Sequence, residues 1–200
     1  MDISIIIPAY NEADGIKPTL EELSETMAGS GLDYEIVVVD DGSTDGTSEK
    51  VQKLVAKLDR VRLLVHPRNR GYGAALKTGI RSAKAEVVTI TDADGTYPNE
   101  RIPELYHKLV DDDVAMVVGS RTGANVHIPL VRRPAKAFLR GLANYLSGSH
   151  IPDLNSGLRV MKKAPIVTCF NLCSDGFSFT TTTLMALLAR RDPVVFVPID

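Results

Sequence analysis

Short apolar runs rich in β-branched residues recur along the first 120 residues of this 200-residue chain. They occupy residues 3–8, 34–40, 61–65, 85–92 and 114–120. Each run is apolar at successive positions, as expected of parallel strands that helices cover on both faces. The segments between the runs have helical patterns. This alternation predicts an α/β fold built on a doubly wound, mostly parallel sheet.

The helical segment at residues 47–58 shows the pattern clearly. Its apolar residues follow the i, i+3, i+4, i+7 spacing of a helix packed on a core, and they are Val51, Leu54, Val55 and Leu58. Ser43, Thr44 and Asp45 stand upstream, where their oxygens can cap a helix. After residue 120 the alternation becomes irregular, so we expect an extension on the same core.

Composition narrows the classes of protein. With 44% hydrophobic and 24% charged residues the chain can bury a sizeable core, and its net charge of −2 provides no overall positive field for nucleic acid. Cys169 and Cys173 are the only cysteines, and we expect buried free thiols rather than a zinc site. No apolar run approaches the roughly 18 residues that cross a bilayer. We therefore expect a cytoplasmic chain.

Polar loops follow four of the predicted strands, at residues 8–15, 40–47, 66–73 and 91–98. In an open α/β sheet, ligands bind outside the carboxyl ends of the strands. Three of these loops bring carboxylates, whose mutual repulsion a purely structural role would not offset. A cation or a ligand rich in hydrogen-bond donors is therefore indicated.

The loop sequence "TDADG" places Asp92 and Asp94 on either side of Ala93. Hard divalent cations take oxygen ligands and often reach a protein through one or two carboxylates and substrate phosphates. The pair is therefore a candidate Mg²⁺ or Mn²⁺ site that clamps a diphosphate. An acidic β-turn without a ligand is the alternative.

Two further loops are candidates for nucleotide contacts. Asp40 and Asp41 end a strand, where they can accept hydrogen bonds from a base N–H or a ribose hydroxyl, although the stretch can instead cap the next helix. In "NRGYGAALKTG" the third glycine of a dinucleotide fingerprint is replaced by Leu76. A phosphate approaching the helix N-terminus at Gly71, near Arg70, is the better interpretation, and plain helix capping competes with it.

Six ordered motifs, taken together, resemble the inverting family 2 glycosyltransferases of the GT-A fold. They are "SIIIPAYNE", "VVVDDGSTDGT", "NRGYGAALKTGI", "TDADGTYP", "VVGSR" and "DLNSGLRVMKK". The likeness covers nearly the whole chain. It is greatest to the branch of dolichyl-phosphate mannosyltransferases and polyprenyl-phosphate sugar transferases. The resemblance implies a single domain, with residues 1–120 binding a nucleotide sugar and residues 121–200 on the acceptor side.

The resemblance also implies roles for individual residues. The nucleotide pocket would be formed by Pro8, Tyr10, Glu12, Asp40 and Asp41. Asp92 and Asp94 would be the D-x-D pair that holds the metal and, with Ala93, the donor diphosphate. Arg121 matches a position near the sugar or the phosphates. A further element comprises Asp153, Ser156, Gly157 and Arg159, with Leu158 in place of the usual aromatic residue. Asp94, Arg121, Asp153 and Arg159 are thus the expected catalytic residues, and Arg121 and Arg159 are expected to position anions.

Two features depart from the family pattern. Residues 176–188 carry threonines where many relatives have an acidic residue, so no obvious general base is present; this fits an acceptor phosphate, which is already charged. The chain also ends at "VPID", where relatives usually continue, so we expect a truncated or minimal catalytic domain.

Residues 131–146 bear on the acceptor. They place apolar residues on one helical face and Arg132, Arg133, Lys136 and Arg140 elsewhere. Such a basic amphipathic helix can lie on an anionic membrane surface, or it can dock on its own domain with a solvated basic face. We expect a peripheral protein at the cytoplasmic face of a membrane.

The function expected from the sequence is metal-dependent, inverting transfer of a sugar from a nucleotide donor to a polyprenyl phosphate. Transfer to a saccharide or protein hydroxyl is the enzymatic alternative; it needs a general base, for which Asp175 is the conspicuous candidate. A nucleotidyltransferase is disfavoured because the first strand lacks a glycine-rich, basic nucleotide loop. A sugar-nucleotide-binding module without turnover is the non-catalytic alternative.

Overall fold

The computed structural model describes residues 1–121 and 151–199. The strands of these residues are β1 (Ile3–Ala9), β2 (Tyr34–Asp40), β3 (Val61–Val65), β4 (Val87–Ile90), β5 (Met116–Ser120), β6 (Arg159–Lys162) and β7 (Val194–Pro198). The helices are α1 (Ile16–Gly29), α2 (Thr47–Val55), α3 (Tyr72–Ser82), α4 (Ile102–Asp111), α5 (Lys163–Thr168) and α6 (Phe179–Ala189), and a 3₁₀ turn (Asn99–Arg101) precedes α4.

The strands form one sheet in the order β3-β2-β1-β4-β6-β5-β7. Among the strands of the described residues, β6 alone runs antiparallel to its neighbours β4 and β5. The mostly parallel α/β sheet predicted from the alternation is therefore confirmed, and the first five strands occur where the apolar runs predicted them. β4 and β5 are shorter than the runs 85–92 and 114–120.

Two hydrophobic layers cover the sheet. On β1, Ile5 and Ile7 belong to the layer packed under α1, α2 and α4, and Ile6 belongs to the layer under α3, α5 and α6. All three isoleucines have no exposed surface. Because successive side chains of a strand point to opposite faces, a run of isoleucines fills both layers. The continuous apolar run in the sequence thus has the physical cause that we predicted.

Helix α2 is shorter than the predicted segment 47–58. It begins after Gly46, whose φ of 90° suits a residue without a side chain, and ends at Val55. Val51 and Leu54 are buried, while Val55 and Leu58 pack against the same core from partly buried positions. Asp45 accepts a hydrogen bond from the Thr47 N–H over 3.0 Å, so one of the three expected oxygens binds the first turn.

The chain order creates a crevice at the carboxyl ends of β1 and β4. From β1 the chain continues to β2 on one side, whereas β4 pairs with β1 on the other side. The loops that follow β1 and β4 therefore separate at this point, which is where open α/β sheets bind ligands. The loop at 10–13 and the loop at 91–97 are the two walls of this crevice.

Other expectations can be compared directly. Cys169 and Cys173 are buried free thiols, as predicted. No helix within residues 1–121 and 151–199 has the length and apolarity needed to cross a membrane. The predicted amphipathic helix at 131–146 lies outside the described residues.

Candidate active site

The loop after β1 is held in place by side chains from the loop after β2. The N–H groups of Asn11, Glu12 and Ala13 donate to Ser43 Oγ, Thr47 Oγ1 and Asp45 Oδ2 over 2.9, 2.9 and 3.0 Å. Asn11 returns the contact, since its side-chain oxygen accepts from the Thr44 N–H over 2.9 Å. The polar stretch 43–47 therefore shapes the wall that carries Tyr10 and Glu12, beyond binding the first turn of α2.

Asp40 and Asp41, which we expected to contact the nucleotide, are both buried and both have partners within the protein. The Asp40 carboxylate accepts hydrogen bonds from the Ser43 N–H and hydroxyl. Asp41 accepts from the N–H groups of Arg70 and Gly71, and its Oδ1 lies 2.5 Å from His66 Nδ1. Asp41 lines the pocket described below, whereas Asp40 faces its own loop. Asp41 thus fixes the backbone at Gly71.

The acidic loop after β4 is fixed through its backbone and through Asp92. The Ala93 carbonyl accepts a hydrogen bond from Thr19 Oγ1 over 2.9 Å, and Gly15 of the preceding turn packs closely against the same carbonyl. The Tyr72 hydroxyl donates to Asp92 Oδ1 over 3.1 Å. Burial raises the pKa of Asp92 above its ordinary value, and nearby Asp94 raises it further.

The carboxylates of Glu12, Asp92 and Asp94 line this crevice. Burial raises the pKa of Glu12, and the negative charges of Asp94, Asp45 and Asp92 add to the rise. Asp94 is exposed and accepts a hydrogen bond from the Thr96 N–H over 3.0 Å. Neighbouring negative charges that raise the pKa values of Glu12 and Asp92 mark a place where a cation would be stabilising.

The donor set fits a hard divalent cation that keeps open coordination positions. Among the described residues, no group of three or more histidine, cysteine or acidic side chains converges as a closed metal site. Asp92 and Asp94 supply carboxylate oxygens from one loop, and Mg²⁺-type sites use one or two carboxylates together with substrate phosphates. The residues present therefore suit a metal that is bound jointly with a phosphorylated ligand.

A pocket of about 450 Å³ occupies the crevice. Its lining combines the carboxylates of Glu12, Asp92 and Asp94 with apolar and aromatic groups. The lining residues are Pro8, Ala9, Tyr10, Glu12, Asp41, Asn69, Gly71, Tyr72, Ala75, Asp92, Ala93, Asp94 and Phe177. Eight of the predicted substrate contacts are thus brought to one cavity: Pro8, Tyr10, Glu12, Asp41, Gly71, Asp92, Ala93 and Asp94.

Arg121 lies at the end of β5, beside the acidic loop. Its guanidinium carbon is 4.8 Å from the centre of the Tyr97 ring, and its Nε is 3.8 Å from Asp153 Oδ2. Asp153 also accepts a hydrogen bond from the Asn155 N–H over 3.0 Å. Two expected catalytic residues are therefore neighbours, although neither lines the pocket.

The predicted element at 153–159 packs against the acidic loop through its glycine. The Gly157 N–H donates to the Tyr97 hydroxyl over 2.6 Å, and Ser156 Oγ donates to the Gly119 carbonyl. A side chain at position 157 would meet both Asp92 and Tyr97. This element therefore packs closely against Asp92 and Tyr97.

The position of Arg159 does not agree with the expectation that it contacts an anionic substrate. Its side chain has no exposed surface, and its guanidinium donates to the backbone carbonyls of Ser156, Thr180 and Leu154 over 2.8, 2.5 and 3.0 Å. Burial lowers the pKa of Arg159 to about 10, so the side chain stays charged at neutral pH. These contacts make Arg159 a positioning residue that ties the 153–159 element to α6.

The loop at residues 174–178 lies against the N-terminus of α3. The Asp175 carbonyl accepts a hydrogen bond from the Ala74 N–H over 3.1 Å, and Lys77 Nζ lies 2.7 Å from Asp175 Oδ1. Gly71, with φ of 101°, leaves room for this approach, because a Cβ there would lie 2.4 Å from the Asp175 carbonyl oxygen. Protein groups therefore cap this end of α3, which is the alternative that the sequence left open.

Asp175 was the candidate general base for a hydroxyl acceptor. Its hydrogen bond to the Lys77 ammonium lowers the pKa of Asp175 below its ordinary value. A carboxylate with a lowered pKa is a weak proton acceptor. The geometry therefore favours an anchoring role for Asp175.

Four polar or aromatic residues that lie in or beside the pocket were not among the predicted site residues. They are Asn69, Tyr72, Tyr97 and Phe177. Tyr72 and Phe177 each sit beside a glycine, in "RGYG" and "GFSF", and an aromatic residue in a glycine-rich loop is a signal that could have drawn attention to them.

Comparison with known proteins gives a consistent picture. The model of the family described as glycosyl transferase family 2 matches residues 4–170. The dolichol-phosphate mannosyltransferase of Saccharomyces cerevisiae is 31% identical over an aligned length of 204 residues, and the alignment covers 98% of this chain and 75% of the yeast protein. A dolichyl-phosphate β-glucosyltransferase of Trichomonas vaginalis is also 31% identical, with 98% of this chain and 63% of that protein aligned.

A solved structure supports the fold. Glucosyl-3-phosphoglycerate synthase of Mycobacterium tuberculosis, in complex with Mn²⁺, uridine diphosphate and phosphoglyceric acid, superimposes with a TM-score of 0.76. It is 21% identical, and the alignment covers 98% of this chain and 68% of that one. The architecture of the described residues is thus the GT-A fold that the motifs predicted.

Proposed function

The chain belongs to glycosyl transferase family 2, and we propose that it transfers a sugar from a nucleoside diphosphate sugar to a polyprenyl phosphate, with inversion at the anomeric carbon. The names of the yeast and Trichomonas relatives, a dolichol-phosphate mannosyltransferase and a dolichyl-phosphate β-glucosyltransferase, support this acceptor class. The chain spans three quarters or less of these proteins, which leaves their remaining segments without a counterpart in the alignment.

One observation carries the proposal: Glu12, Asp92 and Asp94 line one pocket at the switch point of the sheet, and burial and the negative charges of neighbouring carboxylates raise the pKa values of Glu12 and Asp92. A Mg²⁺ or Mn²⁺ ion held there by Asp92 and Asp94 would supply positive charge to a departing nucleoside diphosphate. The Mycobacterium structure with Mn²⁺ and uridine diphosphate agrees with this ligand class.

The donor is proposed to lie along the crevice. The half-exposed Tyr10 ring just after β1 and the buried Pro8 within β1 line the part of the cavity proposed for the base, and Asp41 and Gly71 border the same cavity. Asp40 and Arg70 stay proposed contacts at the edge of the nucleotide pocket. Burial and neighbouring charges destabilise the ionised form of Glu12 and raise its pKa. Hydrogen bonds donated by a ligand, such as the hydroxyls of a ribose, would stabilise this carboxylate.

The acceptor is proposed to be an anion. A phosphate oxygen is already charged near neutral pH, so its attack on the anomeric carbon needs no proton acceptor. Arg121 lies on Tyr97 beside Asp153 at the border of the site, where its guanidinium can orient a phosphate group. A hydroxyl acceptor would need a base, and the Lys77 ion pair makes Asp175 a poor one.

The membrane surface is the proposed location, because a polyprenyl phosphate is confined there. The basic segment 131–146 would provide electrostatic attraction to anionic lipid at the cytoplasmic face.

The test is transfer of radiolabelled sugar from GDP-mannose, UDP-glucose and UDP-N-acetylglucosamine to a polyprenyl phosphate in detergent. We expect one donor to yield a chloroform-soluble product that requires Mn²⁺ or Mg²⁺. A matched reaction with the dephosphorylated polyprenol should give no product. Product from a saccharide or peptide hydroxyl but not from the lipid would replace the acceptor class. Donor binding without any transfer would leave a binding module.

A further inference from the structure

Tyr72 contacts both the acidic loop and the loop at residues 174–178. Its hydroxyl donates to Asp92 Oδ1 over 3.1 Å. Its ring stacks on Phe177, with ring centroids 5.7 Å apart and an angle of 19° between the planes. Tyr72 is the first residue of α3, so its backbone belongs to a rigid element. The Tyr72 side chain therefore connects the 174–178 loop to Asp92.

The hydrogen bond from Tyr72 has no substitute nearby. In the part of the chain that the structure describes, Tyr72 provides the only donor within hydrogen-bond distance of the Asp92 carboxylate. Gly157 leaves little space beside Asp92, since a Cβ added there would lie 2.9 Å from Asp92 Oδ2. The orientation of Asp92 therefore depends on the Tyr72 hydroxyl.

Phe177 is in turn held by its loop, although its side chain is not buried. The residue is 87% exposed, which is unusual for phenylalanine. Lys77 Nζ donates to the Cys173 carbonyl over 2.6 Å and to Asp175 Oδ1 over 2.7 Å, and the Ala74 N–H donates to the Asp175 carbonyl. These bonds fix the loop from which the Phe177 ring stacks on the Tyr72 ring.

We propose that Tyr72 is a positioning residue that orients Asp92 for binding a divalent cation, and that Phe177 acts on the same site by fixing the Tyr72 ring. The inference rests on the proposed function, because it assigns Asp92 to a metal. Groups that hydrogen-bond to metal ligands fix the orientation of those ligands, and their loss typically weakens metal binding roughly 10-fold to 100-fold. Neither aromatic residue needs to touch the ion.

The test is Mn²⁺ binding, measured from the electron paramagnetic resonance signal of free Mn²⁺ with UDP or GDP present and a protein-free blank for each nucleotide. Tyr72→Phe keeps the ring and removes the hydroxyl, and we expect Mn²⁺ to bind about tenfold more weakly. Phe177→Ala, at an exposed position, should also weaken binding. Combined with Tyr72→Phe, it should add no further loss, because both changes act through one hydroxyl. Tyr106→Phe, on α4, is the matched control and should bind Mn²⁺ as the native chain does.

Each outcome decides between alternatives. Unchanged Mn²⁺ affinity in Tyr72→Phe, with or without a change in the melting temperature of the metal-free protein, would overturn the proposal. Additive losses in the double variant would overturn the part assigned to Phe177. If the native chain fails to bind Mn²⁺ both with UDP and with GDP, the proposed function and this inference are overturned together. If the native chain binds Mn²⁺ and Tyr72→Phe binds it equally well, the inference alone is overturned.

Discussion

Gly157 lies directly against Asp92: a Cβ atom at position 157 would be 2.9 Å from Asp92 Oδ2 and 2.9 Å from Cε2 of Tyr97. A larger residue would therefore force Asp92 or Tyr97 to shift, and the reason for glycine here is space, since Gly157 has no positive φ. Asp92, the proposed metal ligand, thus has the Tyr72 hydroxyl at Oδ1 and the Gly157 backbone close to Oδ2.

The change Gly157→Ala tests this packing. Because the methyl group must displace Asp92 or Tyr97, we expect a loss of about 1–3 kcal/mol in the free energy of unfolding and a loss of at least roughly tenfold in Mn²⁺ affinity. Urea unfolding and Mn²⁺ titration measure the two effects. Gly29→Ala is the control, because no atom lies within 4 Å of a Cβ at that helical position. Native Mn²⁺ affinity in Gly157→Ala would contradict the contact.

Arg159 is expected to act on stability and not on substrate binding. Arg159→Leu removes the guanidinium donor from the carbonyl oxygens of Ser156, Leu154 and Thr180, of which that of Thr180 keeps the Thr183 hydroxyl as a donor, and we expect the free energy of unfolding to fall by about 3 kcal/mol or more. Arg159→Lys should recover part of it, since an ammonium can reach fewer of the three carbonyls. Chemical denaturation of both variants measures this. A fully stable Arg159→Leu protein that no longer binds donor would instead assign Arg159 to the substrate.

Asp175 distinguishes the two classes of acceptor. If Asp175 only anchors its loop through Lys77, then Asp175→Asn keeps a hydrogen-bonding side chain and transfer to polyprenyl phosphate should stay within a few-fold of the native rate. Loss of a general base would instead lower the rate about 10²-fold to 10⁴-fold. Initial rates at saturating donor decide between these results. The larger loss would favour an acceptor whose hydroxyl must be deprotonated.

Glu35 predicts part of the response of stability to acid. Burial opposes ionisation of Glu35, but hydrogen bonds from Arg62, the Lys84 N–H and Ser4 outweigh it, and the pKa of Glu35 is lowered from 4.5. A lowered folded pKa contributes stability that is fully present above pH 4.5 and is lost as the pH falls through the folded value. Urea unfolding between pH 6 and acid conditions should therefore show a smaller pH dependence in Glu35→Gln than in the native chain. Equal slopes in the two proteins would contradict this assignment.

Local patterns were sufficient for the first half of the sheet. β1 and β2 are contiguous, mostly apolar segments that are buried along their whole length, and β3 is a shorter apolar segment at the edge of the sheet that is only partly buried. β6 was not predicted, because "RVMK" has only four residues and two of them are charged. The Arg159 side chain of this strand is buried and donates hydrogen bonds to the Ser156 and Thr180 carbonyls. No local sequence pattern reveals such partners.

The site was predictable in its acidic residues but not in the partners that hold them. Asp92 and Asp94 follow a strand, so their place at the crevice follows from the topology alone. Asp41 is different, because its carboxylate is used by His66, Arg70 and Gly71, which reach it only after β3 has paired with β2. Tyr72 was missed for the same reason, as its contact with Asp92 requires α3 and β4 to be in place.

The metal-bound donor is the central claim, and Asp94 is its most accessible component. Asp94 is exposed and its known hydrogen bond comes from the Thr96 N–H, which an asparagine oxygen can also accept. Asp94→Asn therefore removes a charge with little change in the loop. Glu100→Gln, at an exposed position after the same loop, removes a charge away from the pocket and is the control.

The most direct measurement is the rise in melting temperature that GDP-mannose, UDP-glucose and UDP-N-acetylglucosamine each produce with and without Mn²⁺. We predict that one donor stabilises the native chain and Glu100→Gln only when Mn²⁺ is present, and that Asp94→Asn loses this stabilisation. Equal stabilisation of the native chain and Asp94→Asn, or donor binding that is indifferent to Mn²⁺, would contradict the account.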